Sequence, residues 1–304
     1  YNEEPVLEET TSRLKEKYNS LISQGKISKD SKVIYVNDGS KDRTWELISE
    51  IHKNDKMFRG ICLSRNRGHQ NAVLAGLMTA KEEADMVISM DADLQDDINA
   101  IDEMVDKFNE GYDIVYGVRN KRKTDTFFKR FTAQTYYKML LHMGVDIVYN
   151  HADFRLMSKR ALNGMADFKE VNLFLRGIVP MIGFPSTNVY YERHERFAGE
   201  SKYPLKKMLQ FAFDGVTSLS IKPIRFITSL GLIIFLLSLI MLVYTIVVHF
   251  TGDSELGWSS IMTSVWALGG LQLLSIGIIG EYIGKIYLES KARPRFIIQE
   301  YLND

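Results

Sequence analysis

The sequence has very little cysteine and no excess of charge of either sign. Cys62 is the one cysteine among 304 residues, so a disulfide framework within a single chain is excluded, as is usual for a reducing compartment. Because Cys62 lies in the apolar stretch GICLS, we expect a packed thiol and not a reactive one. The 38 basic and 38 acidic residues balance, which excludes the overall basic character of many nucleic-acid binders. The six histidines show no spacing such as His-x-x-x-His, so they are expected to be ordinary packing or surface residues, and no zinc site is predicted.

Charge is missing altogether from two long stretches toward the C-terminal end. The runs from Phe226 to Phe250 and from Trp258 to Gly280 contain no Asp, Glu, Lys or Arg. A helix over the first run would be ~37 Å long at ~1.5 Å per residue, enough for a hydrocarbon core of ~30 Å. Two buried core helices are the alternative, but core helices rarely extend this far without a polar face. The pattern therefore predicts a hairpin of two transmembrane helices within residues 225–284.

Basic residues flank the predicted hairpin on both sides. They are Lys222 and Arg225 before it, and Lys285, Lys291, Arg293 and Arg295 after it. The loop between the two runs carries only Asp253 and Glu255 as charged residues. By the positive-inside rule, residues 1–200 and the tail 285–304 are expected on the cytoplasmic side of the membrane.

Before the hairpin, short apolar stretches alternate with helical patterns. Four stretches have the length and β-branched content of buried parallel strands: KVIYV (32–36), RGICL (59–63), MVISM (86–90) and DIVYGV (113–118). The helical stretches between them are DRTWELISEIHK, HQNAVLAGLMTAKEE and INAIDEMVDKFNEG. This alternation predicts an α/β domain over residues 1–200, with an open, mostly parallel sheet and helices on both faces. Because the chain begins at Tyr1 and not at a methionine, we expect a first strand before residue 1.

Polar loops follow three of the predicted strands, at the sheet edge where such folds bind ligands. They are NDGS (37–40), SRNRGHQ (64–70) and DADLQ (91–95). Each is also compatible with ordinary turn or capping chemistry, and Asp96 and Asp97 are expected to cap the next helix. Asp91 and Asp93 stand two residues apart, so extended backbone would point both carboxylates to one side, where they repel each other. A bound Mg²⁺ or Mn²⁺ would relieve this repulsion.

The segment before the first apolar run predicts a juxtamembrane helix over residues 201–224. Its apolar residues recur every three or four positions: Leu205, Met208, Leu209, Ala212, Val216 and Leu219. An amphipathic helix beside a membrane span is typical of the membrane interface, where Ser201 and Lys202 would reach the level of lipid phosphates. A core helix of the N-terminal domain is the alternative.

The motifs, taken in order, resemble a known family. YNEE, NDGSKDRT, SRNRGHQNAVLAG, DADLQDD and HADFRLMSKRAL, followed by the predicted hairpin, are similar to the polyprenyl-phosphate glycosyltransferases of glycosyltransferase family 2. That group includes dolichol-phosphate mannose synthases and bactoprenol glucosyltransferases, and the ending GEYIGKIYLESKARPRFI looks most like the bactoprenol branch. The resemblance covers essentially the whole chain. It implies a GT-A fold, a nucleotide-sugar donor, Mg²⁺ or Mn²⁺, a polyprenyl phosphate acceptor and, from relatives with this hairpin, a homotetramer.

The resemblance also implies roles for individual residues. The donor nucleotide would be bound by Tyr1, Glu3, Asp38, Gly68 and Asp91, and the metal with the diphosphate by Asp91, Asp93 and Gln95. Asp153 would be the catalytic carboxylate near the acceptor, with Arg155 close to its phosphate; simple pairing of these two residues is the alternative. Ala152 stands where relatives commonly carry glycine, which raises the question of a positive φ at this position.

A basic stretch from Arg119 to Arg130 follows the fourth predicted strand. We expect it to bind the lipid phosphate, chiefly through Arg119 and Lys129, together with Ser201 and Lys202. A solvated run of surface charge is the alternative.

The activity that the resemblance implies is the inverting transfer of one hexose from UDP-glucose or UDP-N-acetylglucosamine to undecaprenyl phosphate. We expect it at the cytoplasmic face of the plasma membrane, for glycosylation of the cell envelope. A processive polysaccharide synthase is one alternative, but its Gln-x-x-Arg-Trp element precedes none of the three tryptophans. A non-catalytic nucleotide-binding scaffold is the other. Such a scaffold would be expected to lose the DADLQ carboxylates or the basic stretch, and both are present.

Overall fold

The computed structural model describes residues 1–119, 151–171, 173–193, 217, 222–251 and 257–303. The first range contains α1 (Glu4–Ser23), β1 (Val33–Asn37), α2 (Thr44–Asn54), β2 (Phe58–Leu63), α3 (His69–Ala80), β3 (Met86–Ser89), α4 (Ala100–Asn109) and β4 (Ile114–Arg119). The later ranges contain β5 (His151–Ser158), α5 (Lys159–Ala166), α6 (Leu175–Met181), β6 (Ser186–Tyr191), α7 (Lys222–Thr251), α8 (Trp258–Lys291) and β7 (Ile298–Leu302). The four predicted strands and the three helices between them are confirmed, with small shifts at their ends.

The described strands form two mixed sheets. One has the order β1-β2-β7 and the other the order β3-β5-β4-β6. The pairs β1/β2 and β4/β6 are parallel, whereas β7 runs antiparallel to β2, and β5 runs antiparallel to both β3 and β4. The prediction of a mostly parallel sheet is therefore wrong for this part of the chain, although a mixed α/β architecture is consistent with a GT-A fold. The apolar runs identified β1 to β4. They missed β5 and β7, which carry charged residues, and β6, which begins with polar residues.

Strand β4 of the larger sheet is buried on both faces, which explains why its sequence is almost continuously apolar. In β4, Ile114, Tyr116 and Val118 face one core, which is completed by α3, α5 and α6. Val115, between them, faces a second core with α1 and α4. Because side chains alternate along a strand, β5 presents Asp153 and Arg155 on the same face.

Asp113 joins β4 to the start of α5 and offers a test of this packing. Replacing Asp113 with asparagine is expected to lower the free energy of unfolding by about 1–2 kcal/mol at pH 7, because the carboxylate accepts hydrogen bonds from Arg160 and from the Ser158 hydroxyl. The hydrogen bond from Arg160 lowers the pKa of Asp113, burial opposes it, and Ser158 lowers the pKa further.

A lowered pKa in the folded state stabilises the protein above the pKa of the unfolded chain, which is about 4 for aspartate. This contribution is lost as the pH falls through the folded-state pKa. In urea denaturation, the difference in the free energy of unfolding between the wild type and Asp113→Asn should therefore become smaller below about pH 4. Asp106→Asn is the control, because Asp106 pairs with Lys26 at the surface and half of its side chain is exposed.

The two predicted membrane runs lie within the two long helices α7 and α8. Within the described residues, Leu268–Lys291 is the one segment that is long and apolar enough to cross a membrane. Large apolar side chains of both helices are more than half exposed, among them Leu236, Ile240, Leu273 and Ile276. A surface of this kind requires lipid or another protein to cover it. The segment 285–304, expected to be a tail, instead completes α8 and adds β7 to the sheet of the N-terminal domain.

Candidate active site

The first polar loop is held against the second through Asp38. Its two carboxylate oxygens accept hydrogen bonds from the backbone N–H groups of Arg67 and Gly68, at 2.6 and 2.9 Å. Gly39 has a φ of 62°, and a Cβ there would lie 2.6 Å from the backbone nitrogen of Asn66. Only glycine fits such a close approach without displacing the backbone. The loops after β1 and β2 therefore form one surface.

The chain around Tyr1 and Glu3 lies beside this surface. The N–H of Asn2 donates to the Ser40 hydroxyl at 2.9 Å, and the Asn2 side chain accepts from the N–H of Lys41 at 2.9 Å. The N–H of Glu3 donates to the Thr44 hydroxyl at 3.1 Å. The residues expected to bind the nucleotide are thus neighbours in space.

The acidic loop after β3 is a tight turn with one unfavourable backbone conformation. Leu94, which is buried, has a φ of 58°, a region that L-residues other than Asn and Asp rarely enter. Such strain persists only where surrounding contacts enforce it, and it is often found at functional sites. Asp93 Oδ1 accepts from the N–H of Gln95 at 3.1 Å, and the Thr10 hydroxyl donates to the carbonyl of Ala92 at 3.0 Å. The Gln95 side chain accepts a hydrogen bond from Arg193.

Asp153 lies at the centre of a cluster of cationic groups. Its carboxylate accepts hydrogen bonds from Arg155 at 2.5 Å, from Arg176 at 3.1 Å and from His69 Nε2 at 3.1 Å. The other ring nitrogen of His69, Nδ1, is 3.8 Å from Asp91 Oδ1. Because β5 is antiparallel to β3, its first residues lie where β3 ends, and this brings Asp153 to the acidic loop. His69 therefore joins the two parts of the cleft.

The electrostatics of the cleft follow from this crowding. Burial alone would raise the pKa of Asp153, but the hydrogen bond from His69 and the charges of Arg176 and Arg155 hold that pKa well below its ordinary value. Burial alone would lower the pKa of His69, and the carboxylates of Asp153 and Asp91 raise it overall.

The pKa of Asp91 is shifted in the opposite direction to that of Asp153. Burial in the cleft raises the pKa of Asp91, His69 opposes the rise, and the neighbouring carboxylates of Asp96, Asp153 and Asp93 add to it. Asp91 nevertheless keeps 37% of its side chain exposed, so a ligand can reach it. An ionised Asp91 would be favoured by a cation close to its carboxylate.

Asp91 and Asp93 fit one way of binding a divalent metal. No group of three or more His, Cys, Asp and Glu side chains encloses a metal site among the described residues. Mg²⁺ commonly uses one or two protein carboxylates, with substrate phosphates and water completing its octahedron. Two hard oxygen donors in a crowded acidic loop suit that mode, and Mn²⁺ accepts the same donors.

Asp96 does not cap helix α4, contrary to the prediction. It is buried, and its Oδ1 accepts hydrogen bonds from Arg119 Nη2 at 3.0 Å and from the Tyr191 hydroxyl at 2.5 Å. Asp97 accepts from the N–H of Asn99, the residue before the helix, at 2.9 Å. A buried carboxylate is favoured by a cationic partner, and in this structure the end of β4 supplies it.

Arg119 was expected to bind the lipid phosphate. In the structure its guanidinium donates hydrogen bonds to Asp96 and to the Tyr191 hydroxyl. Arg155 was expected to lie close to the same phosphate, and it is fully buried against Asp153. Contact of either residue with a phosphate stays a prediction. Ala152 lies within β5 and is not among the described residues with positive φ. Lys129, Ser201 and Lys202 lie outside the described residues.

Two residues of the cleft, His69 and Arg176, were not predicted from the sequence. His69 is the first residue of α3, directly after Gly68. The one signal in the sequence that could have identified it is its position at the end of the polar loop after β2. Arg176, in the first turn of α6, keeps 31% of its side chain exposed. Nothing in the pattern around Arg176 indicates its contact with Asp153.

Comparison with known proteins identifies the family. The family model described as Glycosyl transferase family 2 matches residues 1–165, and the model described as GtrB C-terminal hairpin matches residues 222–286. The chain is 54% identical over 298 residues to "Uncharacterized glycosyltransferase YkoT" of Bacillus subtilis, covering 98% of this chain and 88% of that protein. It is 39% identical over 274 residues to "Bactoprenol glucosyl transferase" of Shigella phage SfX, covering 88% of each.

A further relative is "Prophage bactoprenol glucosyl transferase homolog" of Escherichia coli, 37% identical over 279 residues, covering 90% of this chain and 89% of that protein. The chain therefore belongs to glycosyltransferase family 2. The resemblance seen in the ordered motifs is confirmed, and the chain is a glycosyltransferase with a C-terminal hairpin of the GtrB type. This hairpin indicates association with a membrane.

Proposed function

We propose that the enzyme transfers one hexose from a UDP-sugar, UDP-glucose or UDP-N-acetylglucosamine, to undecaprenyl phosphate or a similar polyprenyl phosphate. The names of relatives that are 37–39% identical along most of the chain support a bactoprenol acceptor and a glucosyl group. The sugar would serve glycosylation of the cell envelope. Inversion at the anomeric carbon is expected from the family resemblance.

The observation that carries this proposal is the position of His69 between Asp91 and Asp153. It places the acidic loop, suited to a metal and a diphosphate, directly beside a cluster that contains the cation of Arg176. A sugar bound between these two parts would have its leaving group on one side and an anionic acceptor on the other. In-line displacement requires the nucleophile and the leaving group on opposite sides of the anomeric carbon. Positioning of this kind supplies much of the rate.

Asp153 acts on this account as an anchor and not as a general base. Its two oxygens accept from Arg155, Arg176 and His69, and its lowered pKa makes it a weak base near neutral pH. The acceptor needs little base catalysis, because a phosphate monoester with a second pKa of about 6 is already largely ionised. Asp153 would hold Arg176 and His69 where they meet the incoming phosphate and the donor.

The acidic loop would hold the leaving diphosphate. Asp91 and Asp93 are the residues that would bind Mg²⁺ or Mn²⁺, which when present acts as a Lewis acid toward the diphosphate oxygens. Asp38 would face the ribose while it holds the loop of Arg67 and Gly68. Tyr1 would lie against the base, since 41% of its surface is exposed at the edge of this site.

Helices α7 and α8 would both span the plasma membrane, with the catalytic domain on the cytoplasmic side. Exposed apolar side chains on both helices and the hairpin family match support the two spans, and the basic residues that flank them support the cytoplasmic side for the catalytic domain. The juxtamembrane helix predicted over residues 201–224 lies mostly outside the described residues, and it stays a prediction from the sequence, as does a homotetramer.

A donor screen tests the proposed function. Purified protein in detergent would be mixed with undecaprenyl phosphate, Mg²⁺ or Mn²⁺, and each of a panel of UDP- and GDP-sugars, and the lipid product would be identified by mass. We expect one UDP-hexose to give a product that disappears when the metal is chelated. Nucleotide binding without any lipid product would favour a non-catalytic scaffold, and products longer than one sugar would favour a polysaccharide synthase.

A further inference from the structure

After α8 the chain turns back onto the catalytic domain. The helix ends at Lys291. Ala292 caps it, with a φ of 44° in the left-handed region and an N–H that donates to the carbonyl of Glu289 at 3.0 Å. Pro294 follows, in a position that prevents the helix from continuing. Strand β7 then pairs with β2. We define the exit segment as residues Glu289–Ile297, which comprise the last three residues of α8 and the link to β7.

Two side chains of the exit segment hold the loop between α5 and α6. The Glu289 carboxylate accepts a hydrogen bond from the backbone N–H of Val171 at 2.9 Å. The Arg295 guanidinium donates to the carbonyl of Phe168 at 2.9 Å. Phe296, beside Arg295, packs against the same core cluster as Phe168. The loop is thus fixed by its backbone at two points.

That loop leads directly into the helix that carries Arg176. The start of α6 is held by a separate contact, because the Gln70 side chain accepts from the N–H of Leu175 at 2.8 Å. Arg176 is the next residue, and it reaches Asp153 from there. The loop is held at Phe168 and Val171, and the start of α6 is held at Leu175. The backbone of Arg176 therefore has little freedom. Its side chain therefore depends on contacts made by the end of α8.

The exit segment also contacts the loop on the donor side of the cleft. The N–H of Ser64 donates to the carbonyl of Ile297 at 3.0 Å. Arg67, whose backbone N–H binds Asp38, extends its guanidinium to within 3.4 Å of the carbonyl of Pro294. One short segment is therefore connected to both loops that frame the cleft.

We propose that the exit segment sets the position of Arg176 in the cleft, and that Glu289 and Arg295 are positioning residues for the lipid-phosphate side of the transfer reaction. The inference rests on the proposed function, because the acceptor phosphate is the group that Arg176 would meet. The exit segment and the site that would receive the lipid are connected through two hydrogen bonds, each between a side chain of the segment and the backbone of the loop before Arg176. A displacement of about 1 Å in such a site can reduce the rate by as much as 10²-fold.

Acceptor kinetics test this proposal. Glu289→Ala and Arg295→Ala are each expected to raise the KM for polyprenyl phosphate about tenfold, with the donor KM changed less than about twofold, because they loosen the loop before Arg176. Glu289→Gln keeps an oxygen that can accept from Val171 and should retain the wild-type KM. Glu300→Ala is the matched control, because Glu300 lies in β7 and accepts from Trp45 at 3.2 Å, away from that loop.

Hydrogen exchange gives a second readout that does not depend on activity. Peptides covering residues 167–177 should exchange faster in Glu289→Ala and Arg295→Ala than in the wild type or Glu300→Ala. Unchanged exchange and an unchanged acceptor KM in both Glu289→Ala and Arg295→Ala would overturn the proposal. A rise in the acceptor KM of Glu289→Gln equal to that of Glu289→Ala would also overturn it. Failure of the wild type to glycosylate any lipid would contradict the proposed function, whereas the exchange rates would still decide whether the exit segment holds this loop.

Discussion

Replacing Asp93 with asparagine is expected to lower turnover at saturating donor by about 10²- to 10³-fold, as removal of one electrostatic contact to a developing charge commonly does. The substitution removes charge with little change of shape. An asparagine oxygen can still accept from the N–H of Gln95, as Asp93 Oδ1 does at 3.1 Å, so the turn should be retained. The rate of lipid product formation should be measured across a titration of Mg²⁺ and of Mn²⁺.

Asp97→Asn is a closely matched control for that experiment. Asp97 makes the same kind of turn four residues later, where its Oδ1 accepts from the N–H of Asn99 at 2.9 Å. We expect this variant to keep wild-type turnover and metal dependence. Full activity of Asp93→Asn with the metal chelated would show that the acidic loop does not act through a cation.

Replacing Asp153 with asparagine is expected to have the second large effect, on both activity and stability. Arg155 is fully buried, and its Nε and Nη1 already lack a hydrogen-bond partner among the described residues. Loss of the Asp153 charge would leave this guanidinium buried without a counter-charge, which costs about 3–5 kcal/mol in comparable sites. The thermal unfolding midpoint should fall by about 10 °C. The catalytic rate should fall about 10²-fold, because Arg176 and His69 lose their common anchor.

A double variant separates the two effects of Asp153. Asp153→Asn combined with Arg155→Met removes the buried charge and fills a similar volume, so most of the stability should return. The activity should stay low, because the contacts from Asp153 to Arg176 and His69 are not restored. A double variant that regains both stability and turnover would mean that Asp153 serves only to neutralise Arg155.

The parts of the fold that the sequence could predict are those with local patterns. Strands β1 to β4 are short apolar runs that are covered by helices, and composition alone identifies such runs. Strands β5 and β7 were missed because Asp153, Arg155 and Glu300 interrupt the apolar pattern, and β6 was missed because its first half is polar. Their place in the sheet is set by partners far away in the chain.

The site shows the same division between local and distant information. Asp91 and Asp93 were identified from their spacing and from the strand before them. Arg119 was expected to be available for a phosphate because it begins a basic stretch, whereas its partner in the structure, Asp96, belongs to the acidic loop. Residues His69 and Arg176 reach the cleft only through the pairing of β5 with β3 and the packing of α6. No short pattern encodes contacts of that kind.

Hexose transfer and sugar-phosphate transfer differ in the number of phosphates that the lipid product carries, and mass analysis can count them. The enzyme would be given its preferred donor and undecaprenyl phosphate, and both the released nucleotide and the lipid would be analysed by mass. Transfer of the hexose alone predicts a nucleoside diphosphate and a lipid with a single phosphate that bears one sugar. A nucleoside monophosphate together with a lipid diphosphate sugar would show that a sugar phosphate is transferred, and would contradict the account.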